Sequence, residues 1–200
     1  MEHNGFEYID LGLSVNWATC NVGASNPWEV GLYFQWGDII GYTLNDMLNN
    51  AKKFDYNRED YKFSEGYGFT KYDLNDKKRV LDIEDDAVHV HMGGNWRMPT
   101  REECEELIYH CNLTYGKSNG FYGSLLTQIG CETNGLFIPM GGTVADSRLY
   151  GKGNYGYCWS STPSSQYTAA YAMNTSKLSA KFVLPYARTY GFPIRGVFSK

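Results

Sequence analysis

Two hundred residues, 42% of them hydrophobic and 20% charged, suit one domain that buries its own core. The net charge of −4 argues mildly against a nucleic-acid partner. No run approaches the roughly 18 apolar residues that a membrane-spanning helix needs, so no membrane insertion is expected. Six prolines, 22 glycines and 17 tyrosines point to a turn-rich, aromatic-rich, mostly β or α+β chain. The opening MEHNGFEYIDLGL lacks a basic start and an apolar core, so it is not a secretory signal as it stands. The expectation is a protein kept in the cell that makes it, or one that has lost its leader. Five cysteines, an odd number, fit reduced thiols better than a disulfide framework.

The first strand is expected at roughly Tyr8 to Leu11, followed by a turn at Gly12. Asn26-Pro27 sets a turn or a short helical start, with Glu29 just inside. Leu32 to Trp36 reads as a buried aromatic strand or extended stretch, and Trp17, Phe34 and Trp36 are expected in the core. Residues 41–80 scatter Tyr42, Tyr56, Tyr61, Phe63, Tyr67, Phe69 and Tyr72 among polar residues with no steady period. That texture suits a long surface excursion pinned by its aromatics, or else a second wall of a binding site.

Asp82, Glu84, Asp85 and Asp86 form the densest acidic cluster. Calcium could use such oxygens, yet the spacing is not an EF-hand loop, and the same residues can cap a helix. His89 and His91 alternate as on one strand face, and two histidines alone do not make a zinc site. Thr100 with Glu103 three residues on is a capping box, and Cys104, Leu107, Ile108 and Cys111 form an apolar stripe. An amphipathic helix of about three turns follows, with Glu102, Glu103 and Glu105 at its solvated start. Cys104 and Cys111 share its face and read as buried structural thiols, because no CxxC or nearby His completes a metal or redox pair.

Beyond Gly116-Lys117 the pattern turns to strands. FYGSLLTQI and LFIPM flank an expected hairpin turn at Glu132–Gly135. Gly141-Gly142 and GKGNYG are turn clusters, with neither the Lys-Ser/Thr of a phosphate loop nor a dinucleotide fingerprint. From Asn154 to Val197 short alternating segments carry Gln166, Thr168, Asn174, Lys177, Lys181, Tyr186 and Tyr190, ending on GFPIRGV as a closing strand. The mixture suits a binding surface held on strands, with no nucleophile–base pair or ligand cluster in it.

EYIDLGLSVNWATCNVGASNP, YFQWGD, LDIEDDAVHVHMGGNWRMPTREE, LFIPMGG, GYCWSSTP and YGFPIRGV, in this order, resemble the Fibrobacter succinogenes major paralogous domain of Bacteroidetes. The likeness runs from about Glu7 to Val197 and is weakest over 41–80. It implies a C-type-lectin-like α+β fold with mixed antiparallel sheets, two flanking helices, long loops and paired N- and C-terminal strands. The family includes variable proteins of diversity-generating retroelements, whose C-terminal segment displays a changeable ligand-binding face. Trp159, Ser160, Ser161 and Thr162 match the start of that segment, Ala170, Tyr171 and Met173 its middle, and Arg188, Tyr190, Gly191, Ile194, Arg195 and Val197 its end. Pro193 and Gly196 depart from the usual Ser and Pro, and Lys177–Lys181 align poorly.

The resemblance therefore places a variable segment at about 157–197 of one domain spanning 1–200. The ligand-binding positions it implies are Ala172, Asn174, Lys177, Lys181, Val183, Tyr186, Tyr190 and Phe192. Tyrosine buries area at low entropy cost and Asn and Ser adapt their hydrogen bonds, as in antibody paratopes. The leading expectation is a receptor-recognition protein of a phage fibre or bacterial surface, binding a protein or a surface glycan, with no catalytic residues, metal or cofactor. A formylglycine-generating-enzyme-like oxidase would need a reactive cysteine pair late in the chain, where only Cys158 lies, between Tyr157 and Trp159. A calcium–sugar site lacks its EPN, QPD and WND triplets. A structural or assembly subunit would instead show an extended apolar interface.

Overall fold

The computed structural model of the protein describes residues 1–49, 54, 60–66 and 68–200. In chain order its elements begin with β1 (Glu2–His3), β2 (Phe6–Ile9), β3 (Val15–Asn21), α1 (Leu44–Leu48), β4 (Ser64–Glu65) and β5 (Gly68–Phe69). A 3₁₀ turn at Ile83–Asp85 leads into α2 (Ala87–Met92) and α3 (Arg101–His110). Then come β6 (Cys111–Ser118), β7 (Phe121–Gln128), β8 (Cys131–Pro139), β9 (Thr143–Ala145) and β10 (Arg148–Tyr150). The chain closes with β11 (Tyr155–Pro163), β12 (Ala169–Ser176), β13 (Lys181–Ala187) and β14 (Arg195–Ser199). Antiparallel sheets dominate and helices are few. No helix among the described residues is long and apolar enough to cross a membrane.

The two ends of the chain meet in a sheet of order β1-β2-β3-β14, where Val197 lies opposite Trp17. The strand expected at Tyr8 to Leu11 is β2, which stops at Ile9 because the Gly12 N–H turns back to Asp10 Oδ1 at 2.8 Å with φ of +73°. Asn26-Pro27 makes a turn and no helix, with Glu29 accepting from the Ser25 and Asn26 N–H groups. Trp17, Phe34 and Trp36 are buried as expected. Two cores result. One gathers Trp17, Cys104, Leu107, Ile108, Met173 and Val197 under α3. The other joins Phe34, Trp36, Trp96, Trp159, Phe192 and Ile194. Their indoles are satisfied where it matters for the second core: Trp36 donates to Ser160 O at 2.8 Å and Trp159 to Phe34 O at 2.9 Å.

α3 forms as its sequence dictates. Thr100 accepts from the Glu103 N–H while the Glu103 carboxylate accepts from the Thr100 N–H, completing the capping box. Thr100→Ala should cost about 1 kcal/mol in urea unfolding. Glu103 is not solvated as expected: it grips Arg97 through two N–H bonds of 2.7 and 2.5 Å. Burial works to raise its pKa, but Arg97 and the Thr100 N–H outweigh burial and hold the carboxyl below its usual range. A depressed carboxyl pKa stabilises the fold above the unfolded value and loses that contribution as pH falls through the folded one. Stability measured by urea should therefore drop between neutral pH and about pH 3, and Arg97→Met should flatten that drop.

Three expectations are corrected here. His89 and His91 lie on α2, not on a strand, because Asp86 caps a helix start by accepting from the His89 N–H. The β7–β8 hairpin turns at Ile129-Gly130, with Gly130 at φ +84°, and not at Glu132–Gly135. Gly135 instead pairs with Thr127 inside the ladder. Cys111 opens β6, which the sequence reading missed, although its side chain stays in the same core as Cys104.

The 41–80 stretch is more than an excursion. Tyr61 donates to Trp36 O at 2.9 Å, and Tyr72 donates to Asp85 Oδ2 at 2.7 Å. Phe54 is fully buried against Gly191, where its ring would clash with any added Cβ. Arg188 ties the stretch to the C-terminal segment: its guanidinium donates to Ala169 O, Lys71 O and Tyr72 O and lies over the Trp36 and Phe69 rings. Tyr56 and Tyr67 fall outside the described residues.

Candidate functional site

The C-terminal segment folds as an antiparallel sheet of order β11-β12-β13. Alternation along each strand divides its side chains between two faces. Cys158, Met173 and Val183 form one cross-strand row, and Gly156, Thr175 and Lys181 the next. Cys158 and Met173 pack into the core beneath α3, with Val183 against it, and Lys181 follows that face, its Nζ donating to Cys111 O at 2.5 Å. The other face carries Trp159, Ala172 and Leu184 in one row and Tyr157, Asn174 and Phe182 in the next.

On that second face the inner residues are buried and the outer ones are not. Trp159, Ala170 and Ala172 are fully buried, whereas Phe182 is 51% exposed, Leu184 44% and Tyr155 43%. Phe192 is the bearing between the two zones. Its ring stacks on Tyr157 at 4.4 Å, leans on Trp159 at 4.4 Å and meets Tyr186 edge-on at 5.2 Å and Tyr190 at 6.3 Å. Its backbone pairs in both directions with Phe34. Tyr155 continues the row beside Tyr157 at 6.2 Å. Burial raises the Tyr186 and Tyr157 phenol pKa values, with neighbouring tyrosines adding to it, so both stay neutral donors and acceptors at physiological pH. The face is thus uncharged, flat and aromatic, and its half-buried rings hold their places by packing.

Of the eight positions expected to bind, Asn174, Tyr186 and Tyr190 lie on this face, with Tyr186 and Tyr190 half-buried and Asn174 buried as a partner of the Tyr157 phenol. Ala172 and Phe192 are on the same side but fully buried, so they support the face and cannot touch a ligand. Lys181 and Val183 point to the opposite face, under α3, because each sits one residue out of phase with Phe182 and Leu184. Lys177 is exposed in the β12–β13 turn, beside the face at its end. Sequence reasoning missed Phe182, Leu184 and Tyr155. The alternation in KFVLPYA contained the signal, once the register to β12 decides which set faces water.

Protein-family models, curated proteins and solved structures all fail to match this chain. Function has to be read from the geometry.

Other candidate chemistry lies away from the face. Asp82, Glu84 and Asp85 gather within 4.8 Å. Lys71 Nζ sits 2.6, 3.1 and 2.5 Å from those three carboxylates in turn, while Lys62 reaches Asp85 at 2.5 Å and Lys78 pairs with Asp82. The cluster is a lysine-neutralised tie to the 41–80 stretch. Cys158 is buried, which pushes its thiol up to about 11 despite the opposing Arg195, so it is a protonated thiol at neutral pH. A cleft of about 290 Å³ opens between β2, β3 and α2, lined by Phe6, Thr19, Cys20 and His91. It holds no convergent set of catalytic or ligating groups among the described residues.

Proposed function

We propose that the protein is a non-enzymatic ligand- or receptor-binding protein with a C-type-lectin-like fold, and that it binds through the aromatic face of β11-β12-β13. One observation carries the reading: exposed Phe182, Leu184 and Tyr155 stand over a rigid buried layer of Trp159, Ala172 and Phe192. Single exposed apolar side chains are ordinary, but three on one face of a sheet, around the half-buried Tyr157 and Tyr186, suit an interaction surface. Flat aromatics on fixed strands bury area at low entropy cost.

Strand addition is the weaker route. β13 is the outer strand of its sheet, but Pro185 within it lacks an N–H donor and blunts that edge. Contacts are therefore made by side chains across the face. The resemblance to retroelement-diversified proteins supports the same surface, and with it a role on a phage fibre or bacterial surface. Phe54, from the 41–80 stretch, packs against Gly191, next to Tyr190 and Phe192.

The test is binding of labelled protein to a panel of intact bacterial cells, read by flow cytometry. A strain bound by the native chain should lose binding to the variant Y155T/F182T/L184T. Equal binding by both proteins would refute the face.

A further inference from the structure

The charge of this chain is divided unevenly along it. Residues 1–110 hold ten Lys and Arg against twenty Asp and Glu, whereas residues 111–200 hold eight against two. The binding face is therefore carried by the basic part of an acidic protein. Arg188 and Arg195 are buried and Lys200 pairs with Asp10, so they add nothing to this surface. Lys181 donates to Cys111 O on the opposite face and exposed Arg148 sits on β10; the other exposed cations are Lys117, Lys152 and Lys177, and among the described residues none of these three makes an ion pair.

These three lysines rim one end of the aromatic surface. The Lys177 N–H donates to Asn154 O, which places it beside Tyr155. Lys152 lines an apolar groove of about 320 Å³ with Trp28, Phe121, Tyr122 and Met140. Lys117 Nζ lies 4.4 Å from the Tyr122 ring centroid. Gly153, next to Lys152, runs past the Tyr122 ring and so joins this groove to the Tyr155 end of the face. The result is an aromatic and aliphatic centre with an ammonium rim, the anatomy of a protein interface with charged edges.

Building on the binding-face reading above, we infer that the partner is a protein presenting an acidic surface around an apolar patch. The breadth of the face, its aliphatic Leu184 and the shallowness of the groove suit a protein better than a stacked sugar or nucleotide. Rim lysines act mainly by steering encounter and rejecting basic surfaces, so their effect must weaken with salt.

The probe is a random glutamate–tyrosine copolymer, compared with polygalacturonate and with an oligothymidylate, each titrated against the full chain at about 20 mM and about 200 mM salt. The copolymer is expected to bind most tightly, and at least about tenfold more weakly at the higher salt. K117E/K152E/K177E should lower that affinity about tenfold or more at low salt and flatten the salt dependence. Y155T/F182T/L184T should weaken binding while keeping the salt dependence. If the aromatic variant loses binding and the charge-reversed one does not, the face stands and the acidic partner falls. Tighter binding of polygalacturonate or of the oligonucleotide, or no binding of the copolymer at low salt, also overturns the acidic-protein assignment. The cell-binding comparison judges the face independently of that result.

Discussion

Arg188→Ala should destabilise the protein by about 3–5 kcal/mol, from the cavity it leaves between aromatic rings together with the buried carbonyls that lose its hydrogen bonds. The guanidinium is fully buried, and it is held by carbonyls and aromatic rings instead of a carboxylate. Burial lowers its pKa from the ordinary guanidinium value, yet arginine stays charged at any working pH. Removing it takes the guanidinium donor from the carbonyls of Lys71 and Tyr72, leaves Ala169 O with the Ser164 N–H alone, and opens a cavity between Trp36 and Phe69. Arg188→Lys should recover only part of the loss, since one ammonium cannot reproduce the planar fork or its stacking. Urea unfolding measures the energy. Limited proteolysis should show cleavage around residues 61–72 in the alanine variant before the rest of the chain is cut. A loss below about 1 kcal/mol would mean that the 41–80 stretch is held by its tyrosines and lysine pairs alone.

Phe192→Ala should cost a similar amount, about 3–5 kcal/mol, by the cavity left in a closely packed aromatic cluster. Its further consequence is functional. Tyr157 loses a face-to-face partner at 4.4 Å and Tyr186 an edge-on partner at 5.2 Å, so both exposed-side rings lose the packing that fixes them. Near-UV circular dichroism should fall in the folded variant, and ligand binding should weaken even though Phe192 itself is out of reach of a ligand. Phe192→Leu, closer in volume, should restore most of the stability and less of the dichroism. A variant that keeps native dichroism would show that the strand backbone, and not this ring, positions the face.

Local signals in the sequence survive into the structure. The Thr100–Glu103 capping box, the stripe Cys104, Leu107, Ile108, and the buried Trp17, Phe34 and Trp36 depend on near neighbours or on strong hydrophobicity. The misreadings arose where a long-range partner decides. His89 and His91 have strand-like spacing over too few residues to tell, and the Asp86 cap with its bond to the distant Met98 N–H settles them as helix. Glu103 reads as a helix-start charge until Arg97, fixed by its bridge to Val197, folds back onto it. The burial of Arg188 could not be read at all, since nothing in sequence shows that Lys71 and Tyr72 return to meet it.

The proposed face follows the same division. That the C-terminal segment would form strands was legible from its short alternating segments and turn spacing. Which of Lys181, Phe182, Val183 and Leu184 face outward depends on pairing with β12, and a one-residue shift inverts the answer. Phe192 illustrates the other limit. A phenylalanine after glycine in GFPIRGV reads equally well as a displayed contact or as a core residue, until the bridge to Phe34 seats it beneath Tyr157.

The most direct test of the account is to compare Y155T/F182T/L184T with the native chain for both melting temperature and binding to the same bacterial cells. These side chains are about half exposed and belong to none of the buried clusters, so the melting temperature should stay within about 3 °C while binding falls by at least about tenfold. Unchanged binding at an unchanged melting temperature would contradict the account, because the exposed apolar side chains of this face would then not be the working surface.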